Sequence, residues 1–443
     1  MNKFMFYISL IIAHFIYLAI KILNKSSGTS FIGMSVLKIC SEFLKYCENY
    51  VKKSITVTGT NGKTTTSGLL AHILENSNSK ILHNVKGANM LTGIANAFAL
   101  NINPFSKFDY AVLELDEAYL TKLYDYYQAD FLMVTNLFRD QLDRYGELAT
   151  TAGFIRNAIE KNENLQLLLN ADDPLVTNLG KGRNAKFFGF EEVEMAIAND
   201  TASNAPTEVF NCVCNSELKY TKQFMAQEGH YHCNNCGYSR PEPDFKGYVK
   251  ILQNHSELKI IEKSTGKTYE FRINLVGLYN AYNALGAISQ ALILGIDYDT
   301  IKKAVLTYKS IFGRAEKRVI NRKDTLIQLI KNPTGASEVL KTVDLSSNIV
   351  IAINDNYADG RDISWLWDSN FELLKDTKYP IIVSGIRAKD MATRLKYAGV
   401  DTKNIIIEED IEIAIKNAVN GDGEIVTILP TYTALLKINK IKF

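Results

Sequence analysis

The sequence predicts an α/β protein: a parallel-sheet domain around a phosphate-holding loop, interrupted by a cysteine-rich insertion and followed by a second α/β domain. Three observations predict it. Residues 55–66 read ITVTGTNGKTTT, a β-branched run that meets a glycine turn and then a lysine and hydroxyl residues at a helix start. Apolar runs of strand length then alternate with helical patterns, the pattern of a parallel sheet covered on both faces. Four cysteines lie in a polar stretch that breaks this alternation.

The size bounds the organisation. A chain of 443 residues predicts two or three domains. With 47% hydrophobic and 22% charged residues it can bury large cores. The net charge of +2 makes no whole-molecule case for nucleic acid or for acidic partners. The expected division is an apolar helical segment at 1–50, a nucleotide-binding domain at 51–315 with an insertion at 205–245, and a C-terminal α/β domain at 316–443.

The first element is an apolar run from Phe4 to Ile20, broken only by Ser9 and His14 and flanked by Lys3, Lys21 and Lys25. Its length is at the lower edge for a membrane span. No A-x-A-like site follows it, so a cleaved signal peptide fits poorly. Two readings stay open: contact with the cytoplasmic membrane through residues 4–20, or an apolar helix docked on the body. Cys40 and Cys47 share one face of the next helical pattern and read as buried apolar residues.

The loop at 59–65 comes next. Backbone N–H groups and the helix N-terminus would face a polyphosphate there. The candidate nucleotide contacts are Gly59, Thr60, Asn61, Gly62, Lys63, Thr64 and Thr65, with Lys63 reaching the terminal phosphates and Thr64 ligating Mg²⁺. The full G-x-x-x-x-G-K-[ST] pattern is not met, because Val57 stands where its first glycine would be. Strands are expected at 80–85, 110–117, 130–137 and 165–174, and a helix at 87–100. Ligands sit at the carboxyl ends of such strands. The polar clusters at 59–65, 114–117 and 136–143 fall there. Glu114, at the end of a buried strand, is the candidate metal carboxylate, while a carboxylate among Glu114, Asp116 and Glu117 could instead cap the following helix.

Residues 200–245 read as a polar, loop-like insertion. Cys212, Cys214, Cys233 and Cys236 give C-x-C-x18-C-x2-C, four soft ligands suited to structural, tetrahedral Zn²⁺ of zinc-ribbon type. The first pair is one residue shorter than usual, and His230 and His232 stand as alternative ligands. A disulfide framework is not expected beside a cytosolic nucleotide site. A hairpin at 248–262 and a helix at 277–295 follow. The second region has strands at 325–330, 348–354, 380–385, 404–409 and 424–430. Two of its loops are polar enough to be site candidates: K-N-P-T-G at 331–335, and 354–368, with five Asp or Asn residues within nine positions. Trp365 and Trp367 beside it fit either an interface or a core.

Taken together, these motifs resemble the Mur ligase superfamily and, within it, the MurT family. G-T-N-G-K-T-T (59–65) is similar to the superfamily's ATP loop, Glu114 to its strand-end glutamate, and T-N-L-F-R-D-Q-L-D-R-Y-G (135–146) to its asparagine and acidic turn. N-A-D-D (170–173) is similar to a further strand end, G-L-Y-N-A-Y-N-A (277–284) to the helix start that contacts adenine, and F-G-R-A-E (312–316) to the exit arginine. The cysteine insertion and the block 354–368 resemble MurT-like chains in particular.

The resemblance implies a Mur ligase-like ATPase domain that binds ATP through Asn280 and Arg314 as well as the loop, and Mg²⁺ through Thr64 and Glu114. It implies a partner, a GatD-type glutamine amidotransferase, and amidation of the α-carboxyl of D-glutamate in the lipid II stem peptide. Asp355, with Asp359 and Asp362 as substitutes, would complete the partner's Cys–His pair, and Lys63 would act on the transferring phosphate. The implied location is the cytoplasm, at the inner face of the membrane if residues 4–20 contact it. The alternative is a stand-alone amino-acid ligase of the Mur or folylpolyglutamate type. Departures weigh against that alternative: Gln141 stands where such ligases have histidine, and the carbamylated lysine they tend to carry about fifteen residues on is missing, since no lysine occurs from Gln141 to Glu160 and Arg156 is the nearest basic match. Tyr279 replaces another usual histidine, and about fifty residues precede the loop where those ligases carry a large substrate domain. A nucleotide-gated membrane scaffold, a third reading, would leave the metal carboxylate without a task.

Overall fold

The computed structural model describes residues 2–23, 29–84, 88–139, 148–195, 209, 211–309 and 314–441. Its first sheet takes β1 (Val51–Thr58), β2 (Ile81–His83), β3 (Phe108–Glu114), β4 (Phe131–Val134), β5 (Gln166–Asn170) and β6 (Ala185–Met195). A separate hairpin follows, β7 (Lys219–Met225) and β8 (Glu228–His232); β9 (Phe245–Ile251), β10 (Ser256–Glu262) and β11 (Thr268–Ile273) complete the first sheet. The spatial order is β11-β10-β9-β6-β5-β4-β1-β3-β2. All pairs from β9 to β2 are parallel, and β10 and β11 add an antiparallel edge.

Side chains that alternate along these strands divide between two cores. Leu113, Leu132, Val134 and Leu169 pack with Ile94, Phe98 and Ile155 on one face. Val112, Met133 and Leu168 pack with Leu69, Ile73 and Leu285 on the other. Strands apolar on both faces lose the polar alternation, which is why they read as continuous hydrophobic runs.

The second sheet takes β12 (Arg314–Ile320), β13 (Lys323–Gln328), β14 (Asn348–Ala352), β15 (Ile381–Ser384), β16 (Ile405–Ile407) and β17 (Ile425–Pro430), in the order β12-β13-β17-β14-β15-β16. It is parallel except for β12, and it too carries a core on each face. Five strands depart from the sequence expectation, β11 beyond the expected hairpin at 248–262 among them. β6, β7, β8 and β12 lie in stretches without a long apolar run, and the supposedly loop-like insertion carries the β7–β8 hairpin.

Ahead of the sheet, helix α1 (Asn2–Ile22) docks on the body through one face. Phe6, Leu10 and Ala13 join the core that holds Phe98 and Leu113, and the Phe6 ring stacks on Phe43 with centroids 5.1 Å apart. Helix α2 (Thr29–Ile39) follows, and Cys40 and Cys47 are buried in the same core.

Candidate functional site

β1 delivers the chain into the loop at 59–62, and the helix Lys63–Asn76 starts at once. Two glycines make this turn possible. Gly59 (φ 124°) and Gly62 (φ 85°) lie in the left-handed region. A Cβ on Gly59 would meet Thr135 Oγ1 at 2.3 Å, and one on Gly62 would meet Asn283 Oδ1 at 1.9 Å. The loop is pinned from β4's end: Asn61 N donates to Asn136 Oδ1 (2.8 Å) and Thr60 N to the Asn136 carbonyl (2.9 Å).

The three carboxylates after β3 divide their tasks. Thr64 Oγ1 donates to Glu114 Oε1 at 2.9 Å, so the two candidate Mg²⁺ ligands already adjoin. A hydroxyl beside a buried carboxylate is a hard-oxygen set that fits Mg²⁺. Asp116 is the cap, accepting from Ala118 N of the helix Glu117–Leu123. Glu117 does something the sequence did not announce. Its Oε1 accepts from Lys63 Nζ (2.9 Å) and from Gly59 N (3.1 Å), and Lys63 Nζ also donates to the Gly59 carbonyl at 2.5 Å. Lys63 is thus folded back over its own loop in a buried ion pair. Behind the loop, burial lowers His83 from 6.5 to about 4, leaving it neutral beside Ser67 Oγ.

The second domain closes over this loop. After β13 the chain reaches Lys331 and Asn332. Lys331 Nζ donates to the Thr60 carbonyl (3.4 Å), and Asn332 Nδ2 to Asn61 Oδ1 (3.0 Å). Asn332 Oδ1 also caps the helix Pro333–Lys341 through Gly335 N. A cleft lined by Gly62, Thr65, Asn136, Asn283, Lys331 and Glu338 runs between the domains. Asn283, rather than the expected Asn280, lines it; Asn280 is buried and donates to the Val276 carbonyl just ahead of its helix. Tyr279, also at the cleft, reaches Gln328 across the domains at 3.2 Å. The acidic turn at 140–146, Gln141 included, and the side chain of Arg314 lie outside the described residues.

At the end of β5, Asp172 accepts from Arg240 Nε (2.6 Å), Tyr282 Oη (2.8 Å) and Phe190 N (2.7 Å). Asp173 caps the helix Pro174–Leu179 and accepts from Leu137 N; burial pushes it up to about 6. The β7–β8 hairpin is anchored here. Gln227 Nε2 donates to the Leu137 carbonyl (2.7 Å), Glu228 accepts from Asn170 Nδ2 (2.8 Å), Gly229 N donates to the Asp172 carbonyl, and Met225 lines the cleft. Glu228 Oε2 has no hydrogen-bond partner among the described residues, and burial raises this carboxyl well above its ordinary value.

At the hairpin's other end the four cysteine sulfurs lie within 4.8 Å of one another, all as free thiols. Cys212–Cys236 and Cys214–Cys233 sulfurs are 3.5 and 3.6 Å apart. A tetrahedral zinc with bonds of about 2.3 Å sets such separations at about 3.8 Å, so these residues fit the metal. The short C-x-C is accommodated by a turn: Asn215 takes φ 63° and its N donates to the Cys212 carbonyl, while Gly237 closes the second pair. His230 is engaged elsewhere, at the Phe190 carbonyl.

The loop after β14 sorts its aspartates by hydrogen bonding. Asp359 bridges Asn356 N, Thr433 N and Thr433 Oγ1, tying the loop to the helix Tyr432–Ile438. Asp362 accepts from Ser364 N and Oγ, a local turn. Asp355, buried, accepts from the half-exposed Arg387 at 2.6 Å, with exposed Tyr357 and Ile386 nearby in sequence. The tryptophans split: Trp365 is buried, and Trp367 is exposed and packs edge-on against Tyr397.

Comparison with known proteins matches both halves of the chain. Residues 57–212 match the Mur ligase middle domain and residues 329–435 the MurT ligase C-terminal domain. The chain is 36% identical to the lipid II isoglutaminyl synthase (glutamine-hydrolyzing) subunit MurT of Streptococcus pneumoniae, covering 94% of this chain and 92% of that one. It is likewise 36% identical to the subunit MurT of Staphylococcus aureus, covering 92% and 91%. Among solved structures, a pseudomurein peptide ligase type C from Methanothermus fervidus shares the fold, with TM-score 0.68 and 22% identity over 92% of this chain and 84% of that one. A Mur ligase-type sheet with its phosphate loop, an inserted cysteine cluster and a MurT-type C-terminal domain together place this chain in the MurT family.

Proposed function

We propose that the chain is the ATP-binding, amide-forming subunit of a two-protein enzyme acting on lipid II in peptidoglycan synthesis. In this reading the α-carboxylate of D-glutamate attacks the γ-phosphorus of ATP; an acyl phosphate forms and ADP leaves. Ammonia then bonds to the acyl carbon, the C–O bond to phosphate breaks, and loss of a proton leaves D-isoglutamine. The observation that carries the reading is the identity with MurT subunits along nearly the whole chain.

The geometry supports it. Lys63, released from Glu117 to the incoming phosphates, would offset charge on the transferring group. Gly59 to Thr65 would cradle the nucleotide, with Asn283 beside Gly62 and with Asn280 and Arg314 as further contacts. Thr64 and Glu114 would hold Mg²⁺, which polarises the phosphates when bound. Zn²⁺ on the four cysteines would be structural, because four protein ligands leave no open position. Asp355, at the carboxyl end of β14, would orient the histidine of a GatD-type glutamine amidotransferase that supplies the ammonia. A lipid-linked substrate would bring the work to the inner face of the membrane.

The test is product analysis of lipid II incubated with the purified chain, ATP, Mg²⁺ and glutamine, with and without a co-expressed amidotransferase. Amide formation that needs the partner is expected. Addition of an amino acid without the partner would instead establish the stand-alone ligase.

A further inference from the structure

We propose that α1 lies flat in the surface of an anionic bilayer, held by a stripe of apolar side chains on the face turned away from the body. Phe4, Ile8, Ile11, Phe15, Leu18 and Ile22 recur at spacings of three and four, so they share one side of the helix. Of these, Phe4, Ile11, Phe15, Leu18 and Ile22 are 53–82% exposed. From Phe4 to Ile22 the stripe runs about 27 Å at 1.5 Å per residue. Phe31 and Met34 of α2 are exposed as well.

The opposite side of α1 decides between lying on a membrane and crossing it. Among the described residues one helix, Lys3–Ile22, is long and apolar enough to cross. Its inner face is already used: Phe6, Leu10 and Ala13 are buried in the core beneath the sheet, and Phe6 packs against Phe43, Tyr46 and Tyr50. Crossing would strip those rings from the body. Lying flat leaves them in place and buries the outer stripe at the depth that interfacial helices reach.

Charge selects the occupant. Residues 1–41 contain Lys3, Lys21, Lys25 and Lys38 and no aspartate or glutamate. Lys3 and Lys21 are exposed near the two ends of the stripe. An apolar stripe flanked by cations alone complements anionic headgroups over an acyl boundary. The inference goes beyond the amidation reading and does not rest on it.

The test is flotation of the full chain with vesicles of phosphatidylcholine alone or with phosphatidylglycerol. Binding to the anionic vesicles is expected, weakened by salt, and reduced at least about tenfold in a Phe15→Glu/Leu18→Glu variant with an unchanged melting temperature. Sedimentation without vesicles should give the same mass for both proteins. Equal flotation of the variant, no flotation at all, or a wild-type dimer that the variant dissociates would overturn the proposal. Amidation of detergent-dispersed substrate should be unaffected by the variant, so that reading is judged separately.

Discussion

At the residue scale, the phosphate loop is governed by the Lys63–Glu117 pair. Both side chains are almost fully buried, and a buried pair broken on one side leaves a costly lone charge. Lys63→Ala should abolish amidation and also lower stability by about 3–5 kcal/mol. Lys63→Met/Glu117→Gln should recover most of that stability and none of the activity. Chemical denaturation beside product analysis separates the two effects. Gly62→Ala should fold and lose nucleotide binding, since its Cβ would collide with Asn283 Oδ1 in a backbone conformation suited to glycine; calorimetry with ATP reads this. His83 sets a pH dependence. Its folded value, about 4, lies below its ordinary 6.5. Its contribution is therefore complete above pH 6.5 and is lost as pH falls toward 4, by on the order of 3 kcal/mol. Denaturation midpoints across that window should fall less steeply in His83→Gln.

At the scale of elements, the cysteine cluster is a device for placing a hairpin. The four sulfurs fix the base of β7–β8, and its tip reaches Leu137, Asn170 and the cleft through Gln227, Glu228 and Met225. Metal analysis should find one zinc per chain. Its removal by a chelator, or a Cys236→Ser substitution, should weaken ATP binding while the far-ultraviolet circular dichroism of the two sheets persists; unchanged ATP affinity would refute the coupling. The same hairpin shows where the sequence was opaque. β3, β4 and β5 carry apolar residues toward both cores and announce themselves, whereas β7 (KYTKQFM) is mostly exposed and β12 (RAEKRVI) is a charged edge. β6 begins in the core at Phe188 and Phe190 and ends in alternating glutamates, so its period is mixed.

At the scale of the molecule, the site is made by two domains meeting. Gly59 to Thr65 are contiguous, so the loop was legible in the sequence, and Glu114 was legible as the carboxylate that ends a buried strand. The partners were not. Glu117 sits 54 residues from Lys63, and Asn332 sits 271 from Asn61; no local pattern encodes such pairings. Asn61→Ala removes the Asn61–Asn332 contact between the domains and leaves the Asn332 helix cap intact. It should lower kcat/KM for ATP by about tenfold with little change in melting temperature. Within the second domain, Asp355 accepts from Arg387 at the surface, while Asp359 and Asp362 serve their own loop. The central claim is that this chain activates the carboxylate and a second protein supplies ammonia with help from Asp355. It is tested most directly by an Asp355→Asn chain, paired with the amidotransferase and fed either glutamine or ammonium salt. The account predicts that glutamine no longer supports amidation of lipid II while ammonium still does; equal loss with both sources, or full activity with glutamine, would contradict it.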